Sequence, residues 1–270
     1  MTVESSEVKT DSNPLAFQGL TPWERLRQYT DARIALGRVG TSMPTSELLR
    51  FGQAHAMARD AVLTEADFST LLTADTLSVR SQAAHRSEFL RRPDLGCRLH
   101  PDSVALLRAA KAIPAPDVAL MVSDGLSALA AVRHAAGVLD VLLPGLRALG
   151  LSVAPVLLAT QARVALADEA AELLGVRLVI HLIGERPGLS SPDSLGAYLT
   201  YAPTSGTADS ARNCVSNIRP AGLNAGVAAR RLLYLSAEAL RRGLSGVDLK
   251  DESVEAEERR ISERRSRLEP

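Results

Sequence analysis

Val176-Arg177-Leu178-Val179-Ile180-His181-Leu182-Ile183, continued by Gly184-Glu185-Arg186-Pro187-Gly188-Leu189, decides the fold. A run so rich in Val, Ile and Leu has no polar face to turn to water, so it reads as a strand buried on both sides. Gly175 stops the helix before it, and Pro187 with Gly188 restricts the shape of the loop after it. Strands of this kind belong to parallel sheets covered by helices on both faces.

Outward from this strand the same alternation repeats. Residues 117–123 form a second apolar run between Pro116 and Asp124-Gly125, residues 151–159 a third, and residues 197–201 a fourth. Helical spacing covers 102–111, 127–149 (with a kink or break expected near Gly137 and Pro144), 164–175 and 226–242. The pattern predicts an α/β fold with a mostly parallel, Rossmann-like doubly wound sheet. Crossovers in such sheets are right-handed, so the strand-to-helix loops emerge at one edge, where ligands bind. Three loops qualify: residues 123–127, 160–164 and 184–189.

The flanks differ. Residues 1–20 are polar and read as a disordered leader. Thr21-Pro22-Trp23-Glu24 has the residues of a capping box with proline at the first helical position, and predicts a helix running to about residue 36. Further helices are expected over 45–62 and 66–72, which makes 21–100 a mainly helical segment ahead of an α/β domain over 101–247. Residues 248–270 form a charged tail, either an exposed helical extension or disorder.

Composition narrows the function classes. Lys plus Arg equals Asp plus Glu at 31 each, so nothing electrostatic points to nucleic acid or anionic lipid. Cys97 and Cys214 make no CxxC pair, which argues against a disulfide framework or structural zinc. No apolar run reaches the roughly 18 residues of a membrane span, and the N-terminus lacks the plan of a secretory signal, so the expected compartment is the cytoplasm.

Each candidate for chemistry has a plainer alternative. Glu185 and Arg186 place charges at the ligand-facing edge, or make an ordinary surface pair. Asp124 and Ser127 suit a ligand contact at a helix start, or simple capping. His181, inside the buried strand, reads as a hydrogen-bonded core residue. Cys214 reads as a small buried apolar residue, since Arg212 alone does not make a reactive thiolate. There is no GxGxxG, no GxxxxGKS/T and no GxSxG, so nicotinamide dinucleotide, ATP and hydrolase chemistry lack support.

The stretches ARIALGRVGTSMPTSELLRF (32–51), EFLRRPDLGCRL (88–99), MVSDGLS (121–127), ARVALADE (162–169), IGERPGL (183–189) and RNCVSNIRPAG (212–222) resemble the small (light) subunit of ethanolamine ammonia-lyase. The likeness covers about residues 21–247, and GERPGL with NCVSNI in that order is specific. It implies a subunit of a lyase that converts ethanolamine to acetaldehyde and ammonia with adenosylcobalamin, a cobalt corrinoid bound base-on. The implied partner is a TIM-barrel large subunit carrying the catalytic residues, in a higher-order assembly of heterodimers. The small subunit covers the cofactor at the interface, and the implied cobalamin contacts fall on Val164, Glu185 and Cys214. His134-Ala135-Ala136-Gly137 fails the D-x-H-x-x-G motif of base-off cobalamin proteins, because Val132 stands where its aspartate belongs. Relatives in enteric bacteria carry a longer leader linked to packaging in a bacterial microcompartment, whereas about 20 residues precede the first helix here. The competing expectation is a free-standing doubly wound module that binds or senses a small molecule.

Overall fold

The computed structural model describes residues 21–254 except 31, 72 and 74, so the leader and most of the charged tail lie outside the described residues. The described elements are helices α1 (Pro22–Arg27) and α2 (Thr45–Leu63), strand β1 (Thr76–Arg80), helices α3 (Arg86–Arg91), α4 (Pro93–Gly96) and α5 (Pro101–Ala109), then β2 (Val118–Ser123), α6 (Ala128–Ala148), β3 (Val156–Thr160), α7 (Leu166–Leu174), β4 (Leu178–Gly184), β5 (Leu195–Tyr201), β6 (Arg212–Ile218) and α8 (Ala225–Arg242). The chain divides into two compact units between Ala54 and His55.

The larger unit holds a six-stranded sheet in the order β1-β3-β2-β4-β5-β6. The first four strands in that order are parallel, and β5 runs antiparallel to both β4 and β6. Every residue of β2 and β4 is buried. Their side chains alternate between two cores. Leu120, Val122, Ile180 and Leu182 pack with α6 and α8 on one face, while Ala119, Met121 and Val179 pack with α7 on the other. The sheet is therefore doubly wound, as the alternation of strands and helices requires. Since α6 follows β2 on one face and α7 follows β3 on the other, the loops after these neighbouring strands part and open a crevice.

Several elements differ from expectation, each for a physical reason. The first helix ends at Arg27, well short of residue 36. Its capping box forms as predicted, but no residue of α1 is buried, and a helix without a packed face gains nothing from extending. The helix expected over 66–72 is only a 3-10 turn at Ser69–Leu71. The mainly helical segment over 21–100 also supplies β1, whose interleaved Ser78 and Arg80 hide it from a search for apolar runs. It lies at the sheet edge, where the Arg80 amide donates to Ser103 Oγ at 2.9 Å. The third strand begins at Val156, later than residue 151. β6 also went unread, because Cys214, Ser216 and Asn217 on this second edge are exposed.

α6 is not divided at Gly137 or Pro144. Leu139, Leu142 and Leu146 pack into the core on either side of Pro144. Burying each contributes about 2 kcal/mol, which together exceeds the roughly 3 kcal/mol cost of an internal proline. Gly145 lets α8 come close, since a Cβ there would collide with Leu233. α6 is long and apolar enough to cross a membrane by composition, with a mean hydropathy of 1.4 in its best window. Eight of its residues nevertheless pack inside the fold, and Arg133, Asp140 and Arg147 lie along it.

Arg212 on β6 ties the antiparallel edge to the helical layer. Its guanidinium pairs with Asp168 of α7, both side chains buried, and donates to the Thr207 carbonyl at 2.8 Å. Burial pushes the Asp168 carboxyl up, and Arg212 opposes that by stabilising the charge. Removing one member strands a buried charge, so Arg212→Met should destabilise by about 3–5 kcal/mol, while adding Asp168→Leu should recover most of the loss. Urea unfolding of both variants checks this, and equal loss in the two would refute it.

Candidate functional site

Asp124 directly follows strand β2, and its carboxylate organises the edge. It is 2% exposed. Its Oδ2 accepts from Arg86 Nη1 at 3.1 Å and from the Gln161 amide at 2.9 Å, and its Oδ1 from the Ala162 amide at 3.1 Å. Burial pushes the carboxyl up, and these donors and the Arg86 charge act against it. Asp124 is thus not the cap of α6. Ser127 caps that helix, its Oγ accepting from the Ala130 amide. Asp124 instead clamps the loop after β3 to the end of β2. The loop after β4 is brought equally close, because Gly125 lies at φ +51° and a Cβ there would strike the Gly184 carbonyl.

The three predicted loops meet in one cleft of about 420 Å³. Gly125 and Leu126 come from the first loop, Arg163 and Val164 from the second, and Glu185 and Arg186 from the third. Tyr198 of β5 and Ser216 of β6 complete the lining. Two of the three residues singled out from sequence, Val164 and Glu185, are therefore neighbours in one cavity. Cys214 does not line it, but pairs in register with Tyr198, which does. Cys214 is exposed rather than buried. Partial desolvation of its thiol pushes the pKa up, with Tyr198 opposing, which works against a thiolate. Burial raises Tyr198 in turn to about 12.

Glu185 is less free than a charged loop residue suggests. Its carboxylate accepts from Ser194 Oγ at 2.5 Å, Ser216 Oγ at 2.6 Å and the Asn217 amide at 3.3 Å. It braces β5 and β6 against the end of β4. A carboxylate has about four lone-pair positions, so acceptor capacity remains for a ligand. Gly196 makes room for it, since a Cβ there would lie 2.8 Å from Glu185 Oε1.

His181 supports the cleft from beneath. It is 1% exposed, with Nε2 2.7 Å from Ser123 Oγ and Nδ1 3.3 Å from the Val164 carbonyl. A carbonyl only accepts, so Nδ1 carries the proton and Nε2 accepts from the Ser123 hydroxyl. The neutral ring, in the middle of β4, thus joins the end of β2 to the backbone of a cleft residue. Among the described residues no cluster of His, Cys, Asp and Glu could hold a metal ion.

A sequence-family profile described as "Ethanolamine ammonia-lyase light chain" matches residues 20–250. The chain belongs to that family. A protein of Azotobacter vinelandii named ethanolamine ammonia-lyase small subunit is 54% identical over 240 residues, covering 86% of this chain and 89% of the relative. Proteins of the same name from Pseudomonas putida (55% identical, 86% and 88% covered) and Ralstonia nicotianae (54% identical, 85% and 88% covered) are similarly close. The matched span includes every residue of the cleft.

Sequence reasoning missed Tyr198, Ser216 and Arg163 as lining residues, and missed Arg86 as the partner of Asp124. Arg163 adjoins Val164 in a loop already singled out, so its position was a usable signal. The Arg86 pairing spans 38 residues and left none.

Burial lowers the His181 pKa from 6.5 to about 4. The unfolded chain therefore takes up a proton on His181 that the folded chain refuses over that window. The contribution of the neutral ring is complete above about pH 6.5 and declines as pH falls toward 4, by about 3 kcal/mol in all. Urea unfolding from pH 7 to 4.5 should show this decline, with a shallower slope for His181→Gln. Identical slopes would exclude His181 as the source.

Proposed function

We propose that this chain is the small subunit of an adenosylcobalamin-dependent ethanolamine ammonia-lyase, which converts ethanolamine to acetaldehyde and ammonia. The observation that carries the reading is the joining of three sheet-edge loops, in a chain of this family, into one cleft that contains Val164 and Glu185. The one hydroxyl that meets a carboxylate among the described lining residues, Ser216 on Glu185, is part of the brace between strands, which suits a surface that closes a site begun by a large subunit.

The residues present fit the cofactor. A corrin ring carries peripheral amides, and Glu185 has an unused acceptor position for an amide N–H. Val164 serves through its backbone and packing, and Cys214, outside the cleft lining, through its pairing with Tyr198. The buried Arg163 Nε is without a hydrogen-bond partner among the described residues, as expected of a wall that a ligand completes. When bound, adenosylcobalamin supplies the radical chemistry of the deamination. Base-on binding is the form proposed, with the chain's own residues orienting the corrinoid and keeping water out.

The smaller unit supports a protein partner. Trp23, Leu26, Tyr29, Leu48 and Leu49 are all exposed. Exposed apolar surface of that extent is uncommon on a lone soluble protein and suits a face covered by another chain. A large subunit is that partner in this proposal, with heterodimers assembling further.

Deaminase assays on this chain, on the large subunit and on the two combined with adenosylcobalamin test the proposal. Activity is expected only in the combination. A stable monomer that ignores the large subunit in size exclusion would favour a free-standing binding module instead. Glu185→Ala should weaken cobalamin binding by roughly tenfold while leaving assembly intact, and unchanged affinity would remove Glu185 from the contact set.

A further inference from the structure

We propose that Arg163, with Arg186 lining the same cleft, forms an anion subsite that receives the phosphodiester of the cobalamin nucleotide tail. The inference rests on the cobalamin reading above and assigns a charge to a part of the cleft that Val164, Glu185 and Cys214 leave undescribed.

The charge balance of the cleft points this way. Its ionised lining residues are Arg163, Arg186 and Glu185. The Glu185 carboxylate is directed to Ser194, Ser216 and Asn217. The other nearby carboxylate, Asp124, pairs with Arg86 and accepts from two backbone amides. It influences Arg163 only through space. Two arginines thus line a cavity whose acidic neighbours already have partners.

Arg163 is also held in place. Its amide donates to the Gly96 carbonyl at 2.8 Å. Its guanidinium stacks over the Phe89 ring at 4.4 Å, and Arg86 lies over the same ring at 4.9 Å. Gly96 makes this possible, because a Cβ there would sit 2.8 Å from Phe89 and 2.9 Å from Arg163 Cγ. The Arg163 Nε is buried without a hydrogen-bond partner among the described residues. Partial burial lowers the pKa of Arg163 from its ordinary value, as expected of a cation lacking a close counter-charge. A pre-oriented, partly desolvated guanidinium matches a phosphate in shape and charge, and loses little freedom on binding it. In cobalamin the peripheral side chains are neutral amides, so the tail phosphodiester is the group that supplies a negative charge.

The test uses the complex with the large subunit, titrated with hydroxocobalamin and with cobinamide, which keeps the corrin but lacks the nucleotide and its phosphate. Arg163→Met keeps the stem over Phe89 and removes the charge. It should weaken hydroxocobalamin roughly ten- to hundredfold and leave cobinamide unchanged. Added salt should weaken hydroxocobalamin binding to the wild type and act less on the variant. Equal weakening of both corrinoids would overturn the proposal and make Arg163 a structural support. So would a loss of large-subunit association with unchanged corrinoid affinity in the complex that forms, which would assign Arg163 to a carboxylate of the partner. If Arg163→Met fails to assemble, the exposed Arg186→Met must show the selective loss for hydroxocobalamin while Arg163→Lys, which keeps the charge, retains most of its hydroxocobalamin affinity, and equal loss for cobinamide in Arg186→Met overturns the proposal. A wild-type complex that binds neither corrinoid would instead defeat the cobalamin reading itself.

Discussion

A buried carboxylate at the end of a central strand is tolerated only if its charge is met, and Asp124 meets this condition by gathering donors from distant parts of the chain. One comes from α3, as the guanidinium of Arg86. Two are backbone amides of the loop after β3. Satisfying one charge thereby fixes where two loops and a helix lie. The same Arg86 reaches the carbonyls of Val62 and Gly125, so the C-terminal turn of α2 and the start of the β2–α6 loop join the same network. The shape of the cleft depends on this clamp.

The polar groups along this edge divide into two kinds. Asp124, Asp168 and Glu185 each find partners inside the chain and hold the scaffold. His181 is kept neutral by burial and lends its Nδ1 proton to the Val164 carbonyl. Arg163 and Arg186 line the cleft, and the Arg163 Nε has no hydrogen-bond partner among the described residues.

The strands at the middle of the sheet were legible because burial on both faces requires continuous apolar sequence. Residues 176–183 and 117–123 announced β4 and β2 to within two residues at each end. Gly175 was legible too, and it caps α7 at φ 76°. The edge strands β1 and β6 were not. A strand with one open edge carries polar and apolar residues together, and its Ser78, Arg80, Cys214 and Ser216 resemble a loop until their neighbours are known. α1 failed in the opposite sense. Its capping signal was correct, but where it stops depends on packing that a local signal does not contain.

By itself, the sequence determined the doubly wound class, the three loops at one edge and the kinship with the light-chain family, because periodicity, turn residues and segment identity are local properties. Tertiary structure decided which side chains meet. Glu185, read as a ligand-facing charge or half of a surface pair, becomes a brace between strands. Asp124 becomes a clamp rather than a cap, and Arg163 becomes a held cation without a close counter-charge. Those outcomes depend mostly on pairings between residues far apart along the chain, such as Glu185 with Ser216, Asp124 with Arg86 and Arg163 with Phe89. Electrostatic and hydrogen-bond partners are chosen by distance in space, and distance along the chain carries almost no record of it.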